Sequence, residues 1–164
     1  MRLSYPDEMP PLEIERKFLL RELPADYGLY EHEVIRQGYA EDGLRFRQRG
    51  DAFFRTRKVG TGMVFEEHES EITRAEFDAA WPSTEGRRLE KTRTEVPLGD
   101  GLVAEVDVFL GELAGLRYVE VEFDDEPAAL AFDPPAWFGR EVTNELRYRN
   151  SALARLGLPD DWRA

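Results

Sequence analysis

Six segments of this chain place charged or strongly polar side chains at every second position: Glu13-Ile14-Glu15-Arg16-Lys17, Arg45-Phe46-Arg47, Glu69-Ser70-Glu71, Lys91-Thr92-Arg93, Glu105-Val106-Asp107 and Glu120-Val121-Glu122. Side chains of a β-strand alternate between its two faces, so each i, i+2 pair lies on one side of its strand. An isolated pair of this kind is usually a solvated face. Here the residues between and beside the charges are apolar: Ile14, Phe18, Leu44, Phe46, Val106, Val108, Val119, Val121 and Phe123. Whole strands are acidic and others basic, as the opposed walls of a ligand site would be. Carboxylates from two strands can hold Mg²⁺ or Mn²⁺, hard ions that take oxygen ligands. Lys17, Arg45, Arg47, Lys58, Lys91 and Arg93 supply cations for a ligand with several phosphoryl groups. Unpaired charges are costly to desolvate, so such a face must be hydrated and supplied with counter-ions. A barrel with a wet, charged interior follows as the expectation.

The elements that must position these charges are legible as short strands joined by Gly/Asp turns. Strands are expected from Leu12 to Leu20, Glu33 to Ala40, Leu44 to Arg49, Ala52 to Val59 and Met63 to Ile72. Others are expected from Arg87 to Val96, Leu102 to Leu110 and Arg117 to Phe123. Thr73 is an N-cap with Glu76 at the capping-box position, opening a helix that Pro82 should stop. A short helix is expected over Glu126 to Phe132. The proline-rich run Asp133 to Gly139 reads as an irregular packed loop. A last helix is expected from Asn144 to Leu156, with Gly157 at its C-terminus. Its Tyr148-Arg149-Asn150 either covers one mouth of the barrel or is plain amphipathic cladding. Residues 1–11 read as a flexible lead-in to one domain over residues 12–164. The fold class is α+β, mainly β: a closed eight-stranded antiparallel barrel with peripheral helices.

Composition narrows the function. A length of 164 residues suits one domain with a sizeable core. The formal net charge of -12 argues against a nucleic-acid surface, which needs clustered Lys and Arg. With no cysteine, disulfides, thiolate catalysis and Cys-ligated metals are excluded. No apolar leader or membrane span is visible, so a cytoplasmic location is the expectation. A homodimer is compatible with the chain. His68 has the parity opposite to Glu69 and should face outward, and His32 reads as an exposed histidine. Trp81 and Trp137 read as packing residues, and Arg55 and Arg57 as charges outside the lumen.

Glu13-Ile14-Glu15-Arg16-Lys17-Phe18 resembles the E-x-E-x-K signature of the CYTH domain, the triphosphate tunnel metalloenzymes. The resemblance extends over about residues 12–157. It includes Arg36-Gln37-Gly38-Tyr39, Leu44-Arg45-Phe46-Arg47, Thr56-Arg57-Lys58, Glu69-Ser70-Glu71-Ile72, Glu90-Lys91-Thr92-Arg93, Val106-Asp107-Val108-Phe109, Val119-Glu120-Val121-Glu122-Phe123, Trp137-Phe138-Gly139-Arg140-Glu141-Val142-Thr143 and Tyr148-Arg149-Asn150.

It implies an eight-stranded barrel around a tunnel, with Glu13, Glu15, Glu120 and Glu122 as metal ligands and Asp107 as a further metal or water-orienting candidate. Lys17, Arg45, Arg47, Lys58, Lys91 and Arg93 would line the triphosphate path, and Glu69, Glu71 and Glu105 would face the same lumen. Glu13, Glu15, Lys17, Lys91 and Asp107 are the expected catalytic set. The compact chain is most similar to bacterial inorganic triphosphatases, which cleave triphosphate to diphosphate and phosphate. The rivals are a nucleoside or thiamine triphosphatase, a class IV adenylate cyclase, and a non-catalytic polyphosphate-binding module.

Overall fold

The computed structural model describes residues 11–163, and the expected lead-in, apart from Pro11, lies outside them. The strands are β1 (Leu12–Leu20), β2 (Glu33–Tyr39), β3 (Arg45–Arg49), β4 (Ala52–Thr61), β5 (Val64–Ile72), β6 (Arg88–Gly99), β7 (Leu102–Phe109), β8 (Arg117–Phe123) and β9 (Phe138–Glu141). The helices are α1 (Arg74–Ala80), α2 (Glu126–Ala131) and α3 (Asn150–Leu156). The strand order is β5-β4-β3-β2-β6-β7-β8-β1-β9, and a further β5–β1 pairing closes the first eight strands into a barrel. Every pairing is antiparallel. Closure removes the exposed sheet edges that a meander of this length would otherwise present. Among the described residues no helix is long and apolar enough to cross a membrane.

β1 is the strand on which the barrel turns. Along one edge it pairs with β8 from Ile14 to Leu19. Along the other it pairs with β5 only over Leu12, Glu13 and Ile14, and then with β9 at Phe18 and Leu20. Glu15 N–H still donates to Met63 O at 2.9 Å, and the wall parts beyond it, where the chain after β9 is stitched in at Lys17. Val142 N–H donates to Lys17 O at 2.8 Å, and Lys17 N–H donates to the Thr143 hydroxyl at 3.0 Å.

Phe138 and Gly139 begin this ninth strand, so the proline-rich run ends in regular structure two residues earlier than its composition suggests. Gly139 makes the approach possible, since a Cβ there would lie 2.8 Å from the Leu19 carbonyl oxygen. The expected last helix is also divided. A 3₁₀ turn covers Leu146–Tyr148, Arg149 is extended (φ −67°, ψ 141°), and only then does α3 begin. Pro82 does not stop α1 outright. The chain tightens into a 3₁₀ turn over Trp81–Thr84, with Pro82 at its start, where a missing N–H costs no hydrogen bond.

The apolar faces of the strands point outward and are clad. Phe18, Val106, Val119, Val121 and Phe123 pack with Phe138, Phe132 and Ala129 of α2. Phe46 and Phe53 are covered by Phe77 of α1, which the Thr73–Glu76 capping box starts. Phe77 is fully buried, stacks on Trp81 at 5.0 Å, and lies under the Arg36 guanidinium. Phe77→Ala should cost about 3–5 kcal/mol. Urea unfolding will read this as a lower midpoint at an unchanged slope, and a loss below about 1 kcal/mol would mean that α1 is not part of the core.

Candidate active site

The inward-facing rows enclose a cavity of about 1350 Å³. Its far end is dry. There the inward positions are Leu19, Leu89, Phe109 and Tyr118, which pack with Val142, Tyr148 and Leu153 of α3 into one buried cluster. The C-terminal segment thus covers one mouth of the barrel, and the charges are confined to the remaining part. Strand alternation fixes which residues face inward. It does not reveal that the inward rows turn apolar at one end.

Register decides how the charges meet. β1 and β8 set Glu15 opposite Glu122 and Lys17 opposite Glu120. β7 and β8 set Glu105 opposite Glu120, and β6 and β7 set Glu95 opposite Glu105. Like charges directly opposite each other destabilise a sheet. Three such acidic pairs around one cavity are therefore tolerable only if cations are supplied, and the protein supplies some of them. Lys17 Nζ lies 3.5 Å from Glu120, and Lys58 Nζ lies 3.0 Å from Glu15 and 3.4 Å from Glu13.

Among the described residues, Glu13, Glu15 and Glu122 form the one group in which three carboxylate oxygens come within 4.8 Å of one another. Glu15 Oε2 is buried without a hydrogen-bond partner, and Glu13 Oε2 has only its 3.4 Å ion pair with Lys58. Burial, and then a hydrogen bond with Glu122, raises the Glu13 carboxyl above its ordinary range, against the pull of Lys58. Burial, followed by the charge of Glu120, raises the Glu15 carboxyl further, again against Lys58. For Glu120 burial also opposes ionisation, but Lys17 and a hydrogen bond from Glu15 bring it well below the usual carboxylate range. Glu15 and Glu120 thus titrate as a pair in which Glu120 keeps the charge. Unbonded carboxylate oxygens, and carboxyls that keep their protons above the ordinary range, are the marks of a site that fits a hard divalent cation.

The six expected cations divide into two sorts. Lys91 and Arg93 are already paired. Lys91 Nζ lies 2.7 Å from Asp107 Oδ2, while Arg93 holds Asp107 through Nε at 2.8 Å and Nη2 at 2.9 Å, and Glu105 through Nη1 at 2.7 Å. Asp107 is completely buried beneath them. Its burial favours the neutral acid, but Arg93 and then Lys91 overcome this and hold its carboxyl at about 2. Burial brings Lys91 down to about 7 despite Asp107. Asp107 stands apart from the Glu13–Glu15–Glu122 group and is engaged as a counter-ion.

Arg45 leans on Glu69 at 3.4 Å and Glu67 at 3.8 Å. Arg47 is different. It is buried, its Nε donates to Gln37 Oε1 at 2.9 Å, and among the described residues no carboxylate pairs with it. Burial, with Arg45 and Arg93 next, pushes it down to about 9. A buried guanidinium without an anion is a group set for one.

Glu69 and Glu105 line the cavity, and Glu71 does not: the inward row of β5 reaches it through Phe65, Glu67 and Glu69. Glu67, Arg49 and Glu95 line it as well, and the alternation that singled out Glu69 and Arg93 could have been extended to Glu67 and Glu95. Asn150 and Arg149 also line it, and no strand periodicity could have pointed to them. His68, expected to face outward, is among the residues lining the cavity, where its ring bonds Glu66, and the exposed His32 bonds Thr94. Trp81 and Trp137 are packed against Phe77 and Phe138 and do not line the cavity.

No family model matches the chain. Over 152 residues it is 48% identical to an inorganic triphosphatase of Nitrosomonas europaea, covering 90% of this chain and 99% of that one. Over 149 residues it is 37% identical to an inorganic triphosphatase of Acetivibrio thermocellus, covering 87% and 93%. A solved inorganic triphosphatase structure, 46% identical, superposes with a TM-score of 0.67 over 87% of this chain and 94% of that chain. A conserved protein from Pyrococcus furiosus, 20% identical, shares the fold at a TM-score of 0.50 over 73% of this chain and 83% of its own. Kinship at this level, over nearly the full length of both curated relatives and with a shared fold, places the chain in a family: it belongs to the CYTH family, the triphosphate tunnel metalloenzymes.

Proposed function

We propose that the protein is a divalent-metal-dependent inorganic triphosphatase that converts triphosphate and water to diphosphate and phosphate. The observation that carries this reading is a single cavity holding both halves of the required chemistry. One half is the Glu13–Glu15–Glu122 group, in which Glu15 is buried and keeps one oxygen without a hydrogen-bond partner. The other is Arg47, a buried guanidinium that pairs with no carboxylate among the described residues. A module that merely bound polyphosphate would need the cations and would gain nothing from the buried acids. The full-length relatives named inorganic triphosphatase support the same reading.

Glu13, Glu15 and Glu122 would hold Mg²⁺ or Mn²⁺, with Glu120 beside them. When bound, such an ion neutralises phosphate oxygens and orients the attacking water. Arg47, Arg45, Lys17 and Lys58 would fix the phosphoryl chain. As phosphate oxygens draw Lys58 and Lys17 from Glu15 and Glu120, those carboxylates are released to orient water. The chain has no cysteine, and neither histidine bonds a hydroxyl that lines the cavity, so water attacks phosphorus directly without a covalent intermediate. Diphosphate leaves with the bridging oxygen. Lys91, Arg93 and Asp107 act from below, as a buried ion group that keeps the cavity wall in place.

Phosphate release from triphosphate, ATP and thiamine triphosphate, each with Mg²⁺, Mn²⁺ or excess EDTA, tests the reading. Triphosphate should be turned over fastest and EDTA should abolish turnover. No phosphate release with any metal, or full activity in EDTA, would sink it.

The raised carboxyls add a pH prediction. Glu13 and Glu15 hold protons above the ordinary carboxylate range, so metal must displace protons as it binds. Affinity should therefore rise with pH through that raised range, and binding should release protons at mildly acidic pH. Calorimetry in two buffers of different ionisation enthalpy measures this, and identical heats in the two would contradict it.

A further inference from the structure

Asn150 is the first residue of α3, far in sequence from every charged strand, yet its side chain reaches the dry end of the charged cavity. Its Oδ1 accepts from Lys91 Nζ at 2.8 Å and from Gln37 Nε2 at 3.2 Å, and its Nδ2 donates to the Tyr118 hydroxyl. Gln37 is fully buried; its Nε2 also donates to the Tyr39 hydroxyl at 2.9 Å, and its Oε1 accepts from Arg47 Nε at 2.9 Å. The orientation of each amide is fixed by its neighbours. A flipped Asn150 would set its NH₂ against two donors, and a flipped Gln37 would do the same to Arg47.

These contacts form an unbroken line, Arg47 to Gln37 to Asn150 to Lys91, in which two cations are joined by two neutral amides. Lys91 already has Asp107 as its counter-ion, and a carboxylate in place of Gln37 would hold Arg47 equally well but would neutralise it in the same way. The neutral acceptor fixes the geometry of Arg47 and leaves its charge for an anion, while Lys91 anchors the other end of the line. We propose that Asn150 and Gln37 are positioning residues that, anchored on the buried Lys91, hold Arg47 for the terminal phosphoryl group, so that docking of α3 completes the phosphate-binding end of the cavity. This rests on the triphosphate reading given above and names the part of the site that reads the end of the chain.

The test is calorimetric binding of triphosphate, with EDTA present to prevent turnover, to the wild-type protein, Asn150→Ala, Asn150→Asp and Leu153→Val. Asn150→Ala should weaken binding about tenfold, and in metal-supplied assays it should raise KM by a like factor with little change in kcat. Asn150→Asp, nearly isosteric and still able to accept from both donors, should weaken binding at least as much, because it sets a further negative charge beside the phosphate-binding end. A purely structural role predicts the opposite for this variant. Leu153→Val loosens α3 in the apolar cluster without touching the amides, so it should lower the melting temperature and leave the Kd unchanged.

Wild-type affinity in either Asn150 variant, or equal weakening by Leu153→Val, overturns the proposal alone. A wild-type protein that binds no triphosphate in EDTA overturns this proposal, and one that in addition releases no phosphate with Mg²⁺ or Mn²⁺ overturns the functional reading with it.

Discussion

Replacing Glu15 by glutamine should lower triphosphate turnover roughly 10³-fold, the loss of several kcal/mol of charge stabilisation in the transition state. The substitution keeps the volume of a side chain that is only 6% exposed and removes its charge from a group formed by Glu13 and Glu122. It should not unfold the protein. Glu15 is raised by burial and then by the charge of Glu120, so its ionised form costs stability in the metal-free state. The sign follows: a folded value above the unfolded one contributes stability at low pH that is lost as pH rises through the folded value. The amide cannot ionise, so at neutral pH metal-free Glu15→Gln should melt at or above the wild-type temperature. Wild-type protein should also gain more melting temperature from added Mg²⁺ or Mn²⁺ than the variant does. Phosphate release and melting curves with and without metal read these effects. Turnover within tenfold of wild type would remove Glu15 from the metal group.

The second large effect is expected at Arg47. Arg47→Met should raise the KM for triphosphate on the order of 100-fold, as expected when a buried charge-assisted contact is lost. Other basic side chains of the cavity have carboxylate partners that soften the consequence of removing them. Lys17 has Glu120, Lys58 has Glu13 and Glu15, and Arg45 has Glu67 and Glu69. Arg47 has only Gln37 and the repulsion of Arg45 and Arg93, with burial pushing it down to about 9. Methionine fills the space without charge, so the metal-free variant should be at least as stable as wild type by urea unfolding. Arg47→Lys should recover little, because an ammonium cannot reproduce the fork that bonds Gln37 and a phosphoryl group together. An unchanged KM would show that triphosphate lies elsewhere in the cavity.

The two substitutions illustrate where sequence reading succeeded and where it stopped. That Glu15 and Arg47 face inward is visible from alternation alone, since the two-residue period of a strand is a local property. The same reasoning separates Phe46 and Val121, which lie outward beneath the helices, from their charged neighbours. The expected barrel and most strand limits follow from that pattern and from the Gly/Asp turns. Alternation could not find Asn150, which lies on a helix and meets Lys91 across 59 positions of sequence. Nor could it see that Phe138 and Gly139 would pair with β1, because proline and glycine content argues against a strand until a partner edge exists.

By itself the sequence determined a mainly β barrel with an inward row of acids and bases, and the family to which those rows belong. Only the tertiary structure decided how the charges are shared out. Register joined Asp107 to Lys91 and Arg93, left Arg47 with an amide, and gathered Glu13, Glu15 and Glu122 into one group. It also closed one end of the barrel with α3. The reason is physical: the facing of a side chain depends on its own strand, whereas its charge state and partners depend on which strands lie opposite, in what register, and how far water is excluded.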